Sequence, residues 1–454
     1  MNSGDNLIPG ISAAPEVYTS RETISKGKRP IRNLRWYIAI MLCLSSELNY
    51  LDRQTLSVLA DTIQRDLNLT TIDYSRITSS FLISYAVMYA VSGKLIDILG
   101  TRRAFMIFVS GWSVANMLHA FANTALQFRF YRFILGAAEP ANFPAGVKAV
   151  SEWFPMRERA LAVGIFNAGT ALGSALAVPV VSAIALTWGW RYAFVMTGAI
   201  GFIWVAVWAM FYDVPQKHTR LSDAEKRIIH SDATPEDDNR QPVSIGRLLG
   251  MRETWGCILA RVLTDPISYF LFFWTPKYFQ QERGFNLADV GSYIWIPYVA
   301  LTLGNLSSGA IPRYLISRGW SVNRARKSTM LAVSCLMPIF CLLVTRVSAP
   351  SVAIIIMTAI MFGHAAWGNI TLPAEVFPKH VVGTISGFGG ALGAVLGAVT
   401  QWYIGSVVEN LSFAPIFAAC AVMYLLAFGL VHWLIGELGS IRNLAPTQIA
   451  QSVP

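Results

Sequence analysis

The stretch SSELNYLDRQ, residues 45–54, places Glu47, Asp52 and Arg53 inside a run that is otherwise apolar enough to fill a bilayer. A second run, RFYRFILGAAEPANF, residues 129–143, holds Arg129, Arg132 and Glu139 in the same setting. A charge at the centre of a membrane span costs about 2.5–3.5 kcal/mol on insertion scales, so such a residue faces a partner or a wet cavity. Arginine's planar fork makes two parallel hydrogen bonds to a carboxylate and stays charged at any relevant pH. A carboxyl caught between desolvation and a nearby cation trades a proton readily. The two residue types together predict anion binding linked to proton exchange.

Spacing assigns these groups to faces. Arg132 and Glu139 lie seven residues apart and Asn142 three beyond, one helical stripe, with Arg129 a turn ahead at its outer end. Asn49 precedes Asp52 by three residues and Arg53 by four, while Tyr50 shares the Glu47 side. Polar groups thus cover a wider face than one neighbouring helix needs. The competing reading of Arg53 is a pair with Asp52 or Glu139 that only ties helices together. Tyr50, Tyr85, Asn142, Asn167, Tyr298, Trp367 and Asn369 combine depth with hydrogen-bonding or stacking groups suited to the rest of a polar ligand, and each is equally readable as packing. His364 reads as a core histidine rather than a proton relay, in a glycine-interrupted segment ending at Pro373 where a helix could bend.

Such residues need membrane-crossing helices to hold them. Of 454 residues, 54% are hydrophobic and 14% charged, against about 25% charged in soluble domains. At roughly 20 apolar residues per crossing, twelve spans are predicted: 35–57, 74–97, 103–122, 125–148, 159–186, 190–211, 254–279, 289–312, 327–346, 350–373, 382–408 and 412–436. The net charge of +10 is distributed by loop parity, with Lys94, Arg102, Arg103, Lys148, Arg157 and Arg159 in even loops, which excludes a nucleic-acid patch. With Lys26, Lys28, Arg29, Arg32 and Arg35 ahead of the first span, the positive-inside rule puts both termini in the cytoplasm. The N-terminal stretch lacks an apolar core ahead of its basic residues, so the first span is read as its own targeting signal. The five cysteines fall in spans and show no metal-ligand spacing.

The predicted organisation is a cytoplasmic tail 1–34, a six-helix bundle 35–212, a cytoplasmic linker 213–252, a second bundle 253–436 and a tail 437–454. EWFPMRERALAVGIFNAGTALG from Glu152 and EVFPKHVVGTISGFGGALGAV from Glu375 share E-x-F-P and later glycines at an offset of 223. DLNLTTIDYSRI and GFNLADVGSYI match at Asn-Leu with an offset of 218. Parallel duplication of this kind places a site near the midplane, between two halves that rock.

GKLIDILGTRR, Gly93 to Arg103, resembles the cytoplasmic signature of the major facilitator superfamily. NYLDRQTLSVLA, YRFILGAAEPANFPAGVKAVSEWFPMRERALAVGIFN and TPKYFQQERGFNLADVG are similar to its anion:cation symporter branch, most closely to bacterial hexuronate and aldonate transporters. The resemblance implies uptake of a sugar acid with protons. It puts the helix 1 acid and arginine at Asp52 and Arg53, the helix 4 pair at Arg132 and Glu139, the helix 7 arginine at Arg261 and the helix 2 tyrosine at Tyr85. The chain departs from that pattern at Glu47, and at Arg313 where the second copy of the signature would carry an acid.

The expected protein is therefore an all-α, multi-pass membrane protein of the bacterial inner membrane, with twelve transmembrane helices in two pseudo-symmetric bundles. It is expected to act as a monomer and a secondary transporter, not an enzyme. Asp52 and Glu139 are expected to carry protons, and Arg53, Arg132, Arg261, Tyr50, Tyr85, Asn142, Trp367 and Asn369 to bind substrate. Its carboxylate would take over Arg132 or Arg261, weaken support of the ionised Glu139 or Asp52, and so bring the proton on. Asp97 with Arg102 and Arg103 would hold cytoplasmic helix ends in one state. The proton is the coupling ion, and no cofactor, metal or nucleic-acid partner is expected. Alternatives are a carrier of another carboxylate, aromatic or dicarboxylic, or a sensor, for which the C-terminal tail is too short. The absence of a phosphate loop, a nucleophile elbow and H-E-x-x-H argues against an ATP-driven pump or a membrane protease.

Overall fold

The computed structural model describes residues 30–229, 231 and 244–438, and every regular element within them is helical. Most of the predicted tails 1–34 and 437–454, and the middle of the linker 213–252, lie outside the described residues. The first span is α1 (Leu34–Val58), followed by the short α2 (Ala60–Leu67). The second and third are α3 (Thr71–Leu99) and α4 (Thr101–Leu118). The fourth is split into α5 (Ala125–Ala138), a 3-10 turn at Glu139–Ala141, and α6 (Asn142–Trp153). The long α7 (Met156–Trp188) and α8 (Trp190–Phe211) complete the first six.

After α9 (Asp223–Ile229) and α10 (Ile245–Leu249) comes α11 (Arg252–Arg283), the seventh span. The eighth is α12 (Leu287–Tyr293) with α13 (Trp295–Ser317), and the ninth is α14 (Val322–Arg346). The tenth is broken like the fourth, into α15 (Pro350–Ala366), a 3-10 turn at Asn369–Thr371 and α16 (Leu372–Val376). The last two are α17 (Lys379–Asn410) and α18 (Ala414–Ile435). Among the described residues, ten helices are long and apolar enough to cross a membrane by length and composition alone. The two outside that set are the first, which carries Glu47, Asp52 and Arg53, and the fourth, interrupted at Glu139. Both carry the charged residues of the first-half candidate site.

The repeat is visible as matching turns. Phe154 closes α6 and Pro155 starts α7 with φ −63°, ψ 155°; Phe377 closes α16 and Pro378 starts α17 with φ −60°, ψ 148°. The motif glutamates act alike: Glu152 accepts from Thr101 at the start of α4 at 2.8 Å, and Glu375 pairs with Arg326 near the start of α14. The Asn-Leu match is out of register. Asn68 and Gly284 are the left-handed caps (φ 52° and 69°), and Thr70/Asp73 and Asn286/Asp289 form the capping boxes, an offset of 216 rather than 218. Asn68 ends a helix and Asn286 starts one, so the shared letters do different work.

The two halves meet tightly on one side only. At the ends opposite the basic loops, Ile72 N donates to Glu409 at 3.0 Å, Thr78 to Gln401 at 3.2 Å, Ser79 to the Ala398 carbonyl at 2.8 Å, and the buried Lys277 to Gln64. At the cytoplasmic ends, a Cβ added at Gly93, Gly164, Gly309, Gly383 or Gly387 would meet nothing within 4 Å. Among the described residues, no hydrogen bond or ion pair joins these ends of α3 or α7 to those of α13 or α17. Among the described residues, the halves are bonded across the chamber between them on the face away from the basic loops and not at the cytoplasmic ends.

Close helix packing inside the first half depends on missing side chains. A Cβ at Gly169 would lie 2.0 Å from the Cys43 carbonyl, and one at Gly173 2.1 Å from that of Glu47, so α7 touches the backbone of α1. Gly169→Val is expected to destabilise the purified protein by about 1–3 kcal/mol or more. A melting temperature equal to wild type in detergent would contradict this contact.

Candidate functional site

The first-half cluster forms where α1 passes the break in the fourth span. Pro140 has no N–H to continue the helix, so α5 gives way to a 3-10 turn at Glu139, which α5 itself places against α1. Arg53 donates to Glu139 Oε2 through Nε at 2.8 Å, and its Nη2 lies 2.7 Å from the same oxygen in an ion pair. Glu139 Oε1 has no protein partner. Asn49 joins from the turn before, accepting from Arg53 Nη2 at 3.3 Å and donating to the Glu139 carbonyl at 3.4 Å. Three rings close over the guanidinium: Tyr50 at 4.4 Å, Tyr85 at 5.0 Å and Phe81 at 5.2 Å from its carbon. Such cation–π contacts hold a desolvated charge without neutralising it.

Neighbouring residues on these helices go elsewhere. Asp52 is buried on another face of α1, accepts from Asn116 Nδ2 at 2.7 Å and leaves Oδ2 unpartnered. It makes no ion pair with Arg53, because adjacent residues on a helix point about 100° apart. Arg132 is 0% exposed, donates through Nη2 to the Arg53 carbonyl at 2.7 Å, and has Nε and Nη1 unpartnered. It lies 5.0 Å from the Phe81 ring and 6.0 Å from that of Phe273, across the bonded side of the chamber. Arg132 makes no hydrogen bond to Glu139 and acts on Glu139 and Asp52 through its nearby charge, while the ion pair to Glu139 comes from Arg53. Asn142 accepts from Ser45 at 2.9 Å and donates to Ser46 at 3.1 Å, stitching α6 to α1 away from the rings. Glu47 is half-buried at the α7 contact with no side-chain bond.

The second half contains its own guanidinium–carboxylate pair. Arg261 reaches Asp265 Oδ2 through Nη2 at 2.8 Å and Nε at 3.0 Å, and donates through Nη1 to the Ser386 carbonyl at 2.9 Å. Asn369 donates to Asp265 Oδ1 at 3.1 Å and to Thr264 at 2.7 Å; it gets there because Gly368, with φ 69°, ends α15 and turns the chain inward. Asp265 escaped the sequence reading, although its place four residues after Arg261 and just before Pro266 is the signal for such a pair. Gly390 packs on Arg261 Nη1 and on Tyr89 of α3 alike, and Tyr89 stacks on Tyr85 with centroids 6.0 Å apart. A line of groups thus crosses the chamber: Glu139, Arg53, Tyr85, Tyr89, Arg261 and Asp265.

Trp367, Tyr298 and Asp97 sit elsewhere than expected, and His364 is the core histidine that the sequence indicates. Trp367 is buried and donates to Ser334 at 2.9 Å, against Tyr424, so it packs α15 on α14 and α18 rather than facing the chamber. His364 is bonded to Ser268 and to the Tyr424 hydroxyl, and Tyr298 is buried with its hydroxyl on the Phe272 carbonyl at 3.1 Å. Asn167 is half-buried with no side-chain bond. Asp97 does not pair with Arg102 or Arg103. It binds Lys148 at 2.6 Å, while Arg102 binds Asp213 at 3.3 Å and the Ala209 carbonyl at 2.6 Å, and Arg103 is exposed. Because α4 begins at Thr101, Arg102 is turned toward α8, and the first half's cytoplasmic ends are tied by these other partners.

A family model described as Major Facilitator Superfamily matches residues 42–401. The hexuronate transporter of Escherichia coli (strain K12) is 33% identical over 431 residues, covering 93% of this chain and 98% of that one. A protein of the same organism named probable galactarate/D-glucarate transporter is 28% identical over 439 residues, covering 92% and 98%. Among solved structures, the inward open conformation of the E. coli xylose transporter superposes with a TM-score of 0.69 at 16% identity, covering 89% of this chain and 97% of that one, a likeness of fold.

Proposed function

The chain belongs to the Major Facilitator Superfamily, and from that premise we propose that this multi-pass inner-membrane transporter imports a hexuronate-type sugar acid together with a proton. The pair of Arg53 and Glu139 carries the reading. Arg53 is the anion-binding fork, Glu139 its resident counter-ion, and Glu139 Oε1 an oxygen on which a proton can sit. An arriving carboxylate takes Arg53 from Glu139, and the released side chain, left in an apolar cage, accepts a proton. Substrate and proton then strengthen each other's binding by the same factor.

Tyr50 and Tyr85 offer ring faces to the sugar beside that fork. Arg132, with two unpartnered donors behind Phe81 and Phe273, meets the anion when the bonded side opens. Asp52, also with an unpartnered oxygen, can hold a proton too, but with no bond to Arg53 it keeps that proton through the exchange. The relatives' printed names support the substrate class, a hexuronate in one case and an aldarate in the other.

Proteoliposomes with an imposed inward proton gradient test this directly. Labelled glucuronate or galacturonate is expected to accumulate, and uncharged glucose is not. Entry of the neutral sugar as readily as the acid would overturn the reading.

A further inference from the structure

We propose that Asp265 is a specificity residue: it keeps Arg261 occupied, so that the second half of the chamber receives the hydroxyl-bearing end of a sugar acid and rejects a second carboxylate. This rests on the reading of the protein as a sugar-acid carrier.

The chamber has a guanidinium–carboxylate pair at each end, with the stacked Tyr85 and Tyr89 between them. These tyrosines are one helical turn apart, about 6 Å along the axis, comparable to a pyranose ring with its exocyclic carbon. With its carboxylate on Arg53, a six-carbon acid lying along the two rings brings its far end to Arg261 and Asp265. What that end meets depends on Asp265.

Asp265 is 6% exposed, bound to Arg261 twice and to Asn369 once, with Gly393 leaving the space for its carboxylate. A carboxylate tethered one turn along the same helix outcompetes a free one for that fork by effective concentration. Its charge also repels a second carboxylate while its oxygens accept hydrogen bonds from hydroxyls. In contrast to Glu139, whose Oε1 is unpartnered, both Asp265 oxygens are held, so this pair is built to stay closed. A sugar acid oxidised at one end fits; one oxidised at both ends meets a like charge.

Glucuronate and glucarate, the same skeleton with one and two carboxylates, make the test. Half-saturation values for both are measured in proteoliposomes, and binding to the purified protein is read as the ligand-induced rise in melting temperature. Wild type is expected to favour glucuronate. Asp265→Asn, which frees Arg261 but keeps the bond to Asn369, is expected to move the ratio toward glucarate by at least about 10-fold. Asp265→Glu, which keeps the charge, is expected to retain the wild-type preference. An unchanged ratio in the Asn variant, an equal shift in the Glu variant, or loss of binding of both acids by the Asn variant would overturn the proposal. Wild type that binds neither acid would instead sink the sugar-acid reading itself.

Discussion

Glu139→Gln proteoliposomes are expected to exchange labelled hexuronate for unlabelled across the membrane yet fail to concentrate it when an inward proton gradient is imposed. Glutamine mimics the protonated acid, so the carrier can shuttle loaded, but no proton is released or gained. One pH unit is worth 1.36 kcal/mol per proton, so wild type should reach about tenfold accumulation per coupled proton per unit, and the variant about onefold. Glu139 makes its only side-chain bonds with Arg53, and the neutral amide can still accept from that guanidinium, so the fold survives the change. Gradient-driven accumulation at the wild-type level would remove Glu139 from the coupling step.

Arg53→Lys is expected to raise the half-saturation concentration for hexuronate by about 10- to 150-fold, the loss of one charge-assisted hydrogen bond worth about 1.5–3 kcal/mol. Lysine keeps the charge that Glu139 needs, which separates the loss of the fork from a loss of folding. Arg53→Ala is the harsher change, because it strands a buried carboxylate at a cost of about 3–5 kcal/mol. Its melting temperature should fall with its transport. A lysine variant with wild-type half-saturation would show that the substrate carboxylate is not held by this fork.

Much of the architecture could be read before any coordinates, because twelve apolar runs and a parity of basic loops are strong, redundant signals. The chamber was harder, and the reasons are local. Arg132 and Glu139 both precede Pro140 and keep their helical spacing, whereas Asn142 lies beyond the 3-10 turn and bonds Ser45 and Ser46 instead. Asn142 and Trp367 have the right depth, yet depth does not tell which way a side chain faces. Ser45, Ser46 and Ser334, which engage them, are small hydroxyls with nothing in the sequence to mark them as partners. Asp265 is legible from its spacing, since a carboxylate one turn from an arginine inside a span is its simplest counter-ion. For Asp97, the linear motif suggested partners within GKLIDILGTRR, but its cation, Lys148, is supplied by the fourth span.

The exchange of partners at Arg53 predicts proton uptake that needs no membrane and no gradient. Purified protein in weakly buffered detergent solution, near neutral pH with an indicator dye, should take up protons when hexuronate is added. Uptake should saturate with the binding sites, and Glu139→Gln should bind the acid with the signal reduced or lost. Saturable hexuronate binding by wild type with no change in free proton concentration would contradict the exchange.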